Sequence, residues 1–211
     1  MKLYNANLSP NAMRVRAVAN ELGITLEVID VDLRSGGNRT KEFLALNPNG
    51  KVPVLVDGDF VLWESRAINA YLAATKPEHG LYPDDHRKRA IVDQWSYWQA
   101  VHFGPAVQRV VFERLLRSRF CMGEPDENAI EGHLKEVAQF LPVLDANLAG
   151  KDWVAGALSL ADFAVGSTLV YGNAAGISLA EAPNVAAWMG RLNTRPSWQA
   201  AIAPVAAFLT S

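Results

Sequence analysis

Three short clusters of residues carry the chemistry open to this sequence. In the first, Ser9-Pro10 places a hydroxyl where a short strand-like run gives way to a helical pattern. A hydroxyl there and the first amides of the helix face one anion. In the second, Lys51-Val52-Pro53 puts a proline at the head of an apolar, β-branched run. Proline cannot donate to a strand ladder and is tolerated at a strand's first residue or after a cis bond, so the backbone of Val52 is left for another partner. In the third, Glu64-Ser65 opens a helix and offers a carboxylate beside a helix N-terminus that favours anions. A ligand with a peptide-like middle, a cation and a carboxylate suits the set. Each cluster also has an ordinary structural reading. Ser-Pro is a favoured cap and first-turn pair, Glu64 suits a helix start, and Ser65 reads as a plain N-cap.

The elements that must position these residues follow in order. Lys2–Ala6 reads as a strand, and Asn7–Asn11 as a turn. From Pro10 the apolar positions Met13, Val15, Val18, Ala19 and Leu22 are helical until Gly23 stops them. Leu26–Val31 alternates as a second strand. A polar, Gly-rich loop, Arg34 to Arg39, leads to a short helix over Thr40–Leu46. Asn47-Pro48-Asn49-Gly50 is a dense turn signal. Val52–Val56 reads as a buried strand, Asp57-Gly58-Asp59 as a hairpin turn and Phe60–Trp63 as the return strand. A helix from Arg66 to about Tyr71 or Ala74 closes the unit, capped by Ser65. The sum is a βαβ half followed by a ββα half.

Lys76–His86, with its prolines and glycine, is the clearest boundary. Beyond it every pattern is helical: Arg87 to Arg117 with a bend at Gly104-Pro105, then Asn128–Ala149, Ser159–Ala175, Asn184–Asn193 and Ser197–Phe208. The reading is therefore two domains, 1–78 and 87–211. Ser159-Leu160-Ala161-Asp162 fits a capping box, worth about 1 kcal/mol for folding.

The bulk properties exclude several function classes. The chain has 211 residues, with 20 Lys and Arg against 22 Asp and Glu. A formal net charge of -2 gives no support for binding nucleic acid or a membrane surface. There is no signal-peptide pattern and no apolar run long enough to span a membrane, so the expected location is cytoplasmic. The single cysteine, Cys121, excludes an internal disulfide and CxxC chemistry, and reads as a helix-end packing residue. The histidines have no ligand spacing, and no metal site is expected.

Lys51-Val52-Pro53 with Glu64-Ser65-Arg66-Ala67-Ile68 resembles the glutathione-binding half of the cytosolic glutathione transferases. The resemblance implies an α/β thioredoxin-like N-terminal domain (βαβαββα) followed by an all-α domain. It implies glutathione as co-substrate. The backbone beside a cis-proline pairs with its cysteinyl part, and Glu64-Ser65 holds its γ-glutamyl head. Ser9-Pro10-Asn11-Ala12-Met13-Arg14-Val15 is similar to the serine-type members of phi/theta-like bacterial kind, in which the serine donates to the thiolate. That implies Ser9 for the role, with Asn11 as a second donor. A free thiol has a pKa of about 8.5, so such help is needed at neutral pH. Tyr4, mid-strand, reads as a packed residue.

Alignment back from Asn47 places Asn38 and Arg39 where plant-type members have a His-Lys pair for the glycyl carboxylate. Lys51 stands where glutamine is common. The electrophile pocket is expected from Leu8, Asn11, His102, Phe103 and Val107. The family implies a homodimer, small apolar electrophiles as second substrates, and a possible peroxidase side activity. With no cysteine before Cys121, the cysteine-type thiol-exchange branch is disfavoured. Two rivals stand beside the transferase reading. A zeta-like isomerase shares Arg14-Val15-Arg16 but has Ser-Ser-Cys and Gln-Ser where this chain has Ser9-Pro10-Asn11 and Glu64-Ser65. A non-catalytic binding protein keeping the fold is the other.

Overall fold

Strand β1 (Lys2–Asn5) is the axis of the first unit. The structure, a computed structural model, describes residues 1–210. β1 pairs in parallel with β2 (Glu27–Asp30) and antiparallel with β3 (Val54–Asp57), and β3 pairs with β4 (Phe60–Trp63). The order is β2-β1-β3-β4, a mixed four-stranded sheet. The parallel pair needs a crossover, supplied by helix α1 (Pro10–Glu21). The antiparallel pair β3–β4 needs only a two-residue turn, where Gly58 takes the positive φ of 62° that such turns demand. Helix α2 (Lys41–Leu46) lies between the two halves of the sequence, and α3 (Ser65–Ala74) follows β4.

α1 turns Ala12, Met13, Val15, Ala17 and Val18 inward, and α3 contributes Ile68 and Leu72. These two helices pack on each other. Tyr4 is half-buried and meets Phe43 edge-on at 6.0 Å between ring centroids, as a packed residue should.

The chain divides into two compact units. One is Met1–Tyr82 with the segment from Pro196 on; the other is Pro83–Arg195. This differs from a helical second domain running to residue 211. The final helix, α9 (Pro196–Thr210), packs along α1, burying Trp198, Ala201 and Val205.

The second unit is built on helices: α4 (His86–Trp98), α5 (Gly104–Val111), α6 (Glu127–Leu148), α7 (Leu160–Leu169) and α8 (Pro183–Asn193). Where a bend was expected at Gly104-Pro105, α4 runs into α5 through a π turn, Gln99–Phe103. Gly104 is required there. A Cβ would strike the backbone and side chain of Gln99, whose Nε2 donates to Thr168 at 2.7 Å in the interior. α7 is buried along its whole length and ends at Leu169, short of the expected Ala175. Asp162 in its first turn accepts from the backbone amides of Val154 and Ser159, the Ser159 hydroxyl and the Trp188 indole, each within 3.1 Å. Cys121 is not a packing residue. It follows a 3-10 turn with φ 55°, and its side chain is exposed. No described helix is long and apolar enough to cross a membrane.

Candidate active site

The register of the sheet brings the three clusters to one end. Tyr4 lies opposite Val54, and Val54 opposite Trp63. Both ladders stop at Val54, so β1 leaves the sheet after Tyr4 and Asn5, β3 enters it at Val54 and β4 leaves it after Trp63. The turn after β1, the approach to β3 and the start of α3 therefore share the same end of the sheet.

Ser9 caps α1. Its φ of -74° and ψ of 120° are extended, and its Oγ accepts from the Ala12 amide at 3.3 Å. A hydroxyl that accepts through a lone pair keeps its proton for donation, so capping and donating to an anion are compatible. Ser9 N donates to the Ala6 carbonyl at 2.9 Å, closing a turn from Ala6 to Ser9. Leu8 and Asn11, on either side, are half-buried.

The Val52-Pro53 bond is cis. β3 begins at Val54 rather than Val52, because the ladder cannot continue through a proline. The Val52 side chain is buried in a cluster with Phe43 and Val54, with Tyr4 and Leu46 against it. Its backbone is outside the sheet, flanked by the exposed Lys51.

The loop leading into this bond is tightly tied. Asn38 Nδ2 donates to the Gly50 carbonyl at 2.7 Å, and Asn47 Nδ2 to the Lys51 carbonyl at 2.7 Å. Gly50 has φ 61°, and a Cβ there would lie 2.8 Å from Arg39 Nη1. Asn38 thus spends an amide proton within the protein, and Arg39 lies against the turn with its surface exposed.

At the third cluster the cap is Glu64, not Ser65. Glu64 takes φ 72° and ψ 108°, a sparsely populated conformation for a residue with a side chain, and makes no side-chain cap bond. Ser65 is the first residue of α3 and is buried. Its Oγ accepts from Arg14 Nη1 at 3.4 Å. Arg14 is fully buried, and burial, then Arg66 nearby, push its pKa down to about 9, with Glu64 opposing. It is still a cation at neutral pH. The start of α3 therefore combines a positive helix end and a buried guanidinium with an exposed carboxylate. That suits a zwitterionic head: carboxylate toward Ser65, ammonium toward Glu64.

The family model for the glutathione S-transferase N-terminal domain matches residues 1–74, and that for the C-terminal domain residues 101–196. The chain belongs to the glutathione S-transferase family. It is 37% identical to glutathione S-transferase 3 of Zea mays, over 97% of this chain and 94% of that protein. It is 33% identical to glutathione S-transferase GstB of Escherichia coli, over 92% and 94%. A theta class glutathione S-transferase from Xanthomonas axonopodis, solved with glutathione bound, superposes with a TM-score of 0.88 at 32% identity, over 95% of this chain and 96% of that one. The transferase is of the phi/theta-like kind.

Of the remaining candidates in this transferase, Phe103 and Val107 lie in the second unit with no exposed surface, as parts of its core. Phe103 stacks on Trp98 at 5.2 Å. A side chain with no exposed surface presents no face to a substrate. His102 is exposed and rests against Phe140. Two features escaped the sequence reading. Arg14 had a place in the motif but no role, although it sits amid inward-facing Ala12, Met13, Val15, Ala17 and Val18, where a charge needs a partner. The other is the set of bonds around Asn5, Asn7, Arg16 and Asp30, which joins residues distant in sequence and has no local signature.

Proposed function

We propose that this transferase binds glutathione across the shared end of the sheet, ionises its thiol beside Ser9 and transfers the sulfur to small apolar electrophiles. The observation that carries the reading is the sheet pairing, in which the strand ends leading to the Ser9 turn, to the Val52 backbone and to the Glu64-Ser65 helix start lie at one end of the sheet. The cysteinyl part of glutathione pairs with Val52 as an added strand would. The γ-glutamyl carboxylate takes the Ser65 amide and hydroxyl, and its ammonium takes Glu64. Lys51 and Arg39 lie on the side of the glycyl carboxylate, with Asn38 bracing the loop. Leu8 and Asn11, beside the Ser9 turn, remain electrophile-site residues of the first unit.

The chemistry follows from the donor. The thiol loses its proton to solvent, and the Ser9 O–H donates to the sulfur anion, reinforced by the first amides of α1. The thiolate attacks the electrophilic carbon. A halide departs with the bonding pair, or an epoxide oxygen takes it and is then protonated. The enzyme works as a cytoplasmic homodimer, which the exposed apolar side chains of β4 (Phe60, Val61 and Trp63) favour.

The test is the pH dependence of the ultraviolet thiolate band of bound glutathione in wild type and Ser9→Ala. The expected result is a thiol pKa well below the free value of about 8.5 in wild type and near it in the variant. Binding with no lowering in wild type, or equal lowering in both, overturns the assignment to Ser9.

A further inference from the structure

Asn7, two residues before Ser9, is held from several directions. Its side-chain oxygen accepts from Asn5 Nδ2 at 3.0 Å and from Arg16 Nη1 at 3.5 Å. Its carbonyl accepts from Arg16 Nη2 at 3.2 Å, and its own amide donates to Asp30 Oδ2 at 3.2 Å. Asn5, at the end of β1, is fully buried and links the charges. Its oxygen accepts from Arg16 Nη1, and its nitrogen donates to Asp30 Oδ1 at 2.6 Å. The amide can face only one way. Arg16 has no acceptor and an ionised Asp30 no donor, so the reverse orientation would oppose like groups at both ends. The result is a guanidinium–amide–carboxylate relay across α1, β1 and the end of β2. Arg16 Nη2 also donates to the Ala201 carbonyl of α9 at 2.9 Å.

We propose that Arg16 is a positioning residue for thiol ionisation: with Asn5 and Asp30 it clamps Asn7, and so fixes the turn that presents Ser9. This rests on the reading of Ser9 as the thiolate donor. Ser9 is pinned on its far side by its cap to α1. On its near side, its amide reaches Ala6, and the bonds to Asn7 keep that turn from shifting. Donation to a sulfur anion depends on the placement of one O–H. A misplacement of about 1 Å costs up to about a hundredfold in rate. None of these residues is needed to hold the γ-glutamyl head or the Val52 contact, so the clamp acts on ionisation rather than on binding.

The experiment compares wild type, Asn7→Ala, Arg16→Lys and Ser9→Ala. It reads the bound thiol pKa from the thiolate band, the affinity for S-methylglutathione, which has no thiol, and the kcat and KM for conjugation. Asn7 is exposed, so Asn7→Ala decides the matter if Arg16→Lys does not fold. Lysine keeps the charge but cannot bridge Asn5, Asn7 and Ala201 at once. The expected result is a bound thiol pKa raised toward the free value in both variants and a kcat at neutral pH about tenfold lower. S-methylglutathione affinity stays within about twofold of wild type. A folded Asn7→Ala with the wild-type thiol pKa overturns the proposal. So does a parallel loss of affinity and ionisation, which marks a merely structural role. If Ser9→Ala itself leaves the thiol pKa unchanged, the reading of Ser9 has failed rather than the clamp.

Discussion

Arg14 Nη1 lies 3.4 Å from Ser65 Oγ, a buried contact that ties the middle of α1 to the first residue of α3. Ser65→Ala removes an acceptor from a buried cation. We expect a loss of about 1–3 kcal/mol, read from the urea midpoint at constant m-value. On the proposed role of the Ser65 hydroxyl toward the γ-glutamyl carboxylate, affinity for S-methylglutathione should fall about tenfold. A stable variant with unchanged affinity would leave Ser65 without a role in binding.

The observed cap of Ser9 and its proposed donation to the thiolate are separated by one substitution. Aspartate caps a helix as well as serine does, so Ser9→Asp should hold stability within about 0.5 kcal/mol of wild type. Its carboxylate, however, meets a thiolate with like charge. The bound thiol pKa should rise above the free value, and conjugation at neutral pH should fall by about a hundredfold or more. Thermal unfolding and turnover measured on one preparation decide it.

Glu64 holds a positive φ that glycine, with no Cβ, adopts at lower cost. Glu64→Gly should relieve about 1 kcal/mol, raising the unfolding midpoint or leaving it level. The proposed ammonium partner is lost in the same change, so glutathione affinity should drop about tenfold. Stability that falls along with affinity would show that the side chain supports the fold and that the strain is small.

Asp162 links stability to pH. Burial pushes its carboxyl up to about 6, above the ordinary 3.8, while donation from Val154, Trp188 and Ser159 opposes the rise. A carboxyl that holds its proton more tightly when folded stabilises fully below 3.8, and that contribution fades as pH climbs through about 6. Asp162→Asn does not titrate. The stability gap between wild type and variant should narrow, on the order of 1–3 kcal/mol, between about pH 4 and 7. Urea midpoints of both proteins across that range give the sign. A gap that widens with pH would mean that the donors outweigh burial.

The features legible in sequence were those fixed by local chemistry. Ser9-Pro10 announced a capped helix because the serine bonds only three residues ahead. Asp57-Gly58-Asp59 announced its hairpin, and the change from alternating to helical pattern after Lys76 announced the second half. Features set by long-range contact were not legible. Ser65 has the chemistry of a cap, so Glu64's positive φ, a backbone state with no residue preference behind it, went unforeseen. Val52 reads as strand because of its side chain, and that side chain is indeed in the core; it is Pro53, with no amide to donate, that ends the ladder. Gly104 and Pro105 suggested a break, yet the helix passes through them by widening one turn. The bonds from Asn5 to Asp30, and from Arg16 to Ala201, join residues that no window of sequence contains.

The packing of α9 on α1 makes residues 83–195 an insertion within the first unit rather than a sequel to it. During synthesis the sheet, α1 and α3 emerge first, yet one side of α1 waits for Trp198, Ala201 and Val205. Arg16 likewise waits for the Ala201 carbonyl. A fragment ending near Tyr82 would present the apolar side of α1 to water and lack one anchor of the turn that carries Ser9. Residues 1–82 are thus only part of a folding unit, and a circular permutant joining α9 directly ahead of β1 would make that unit contiguous.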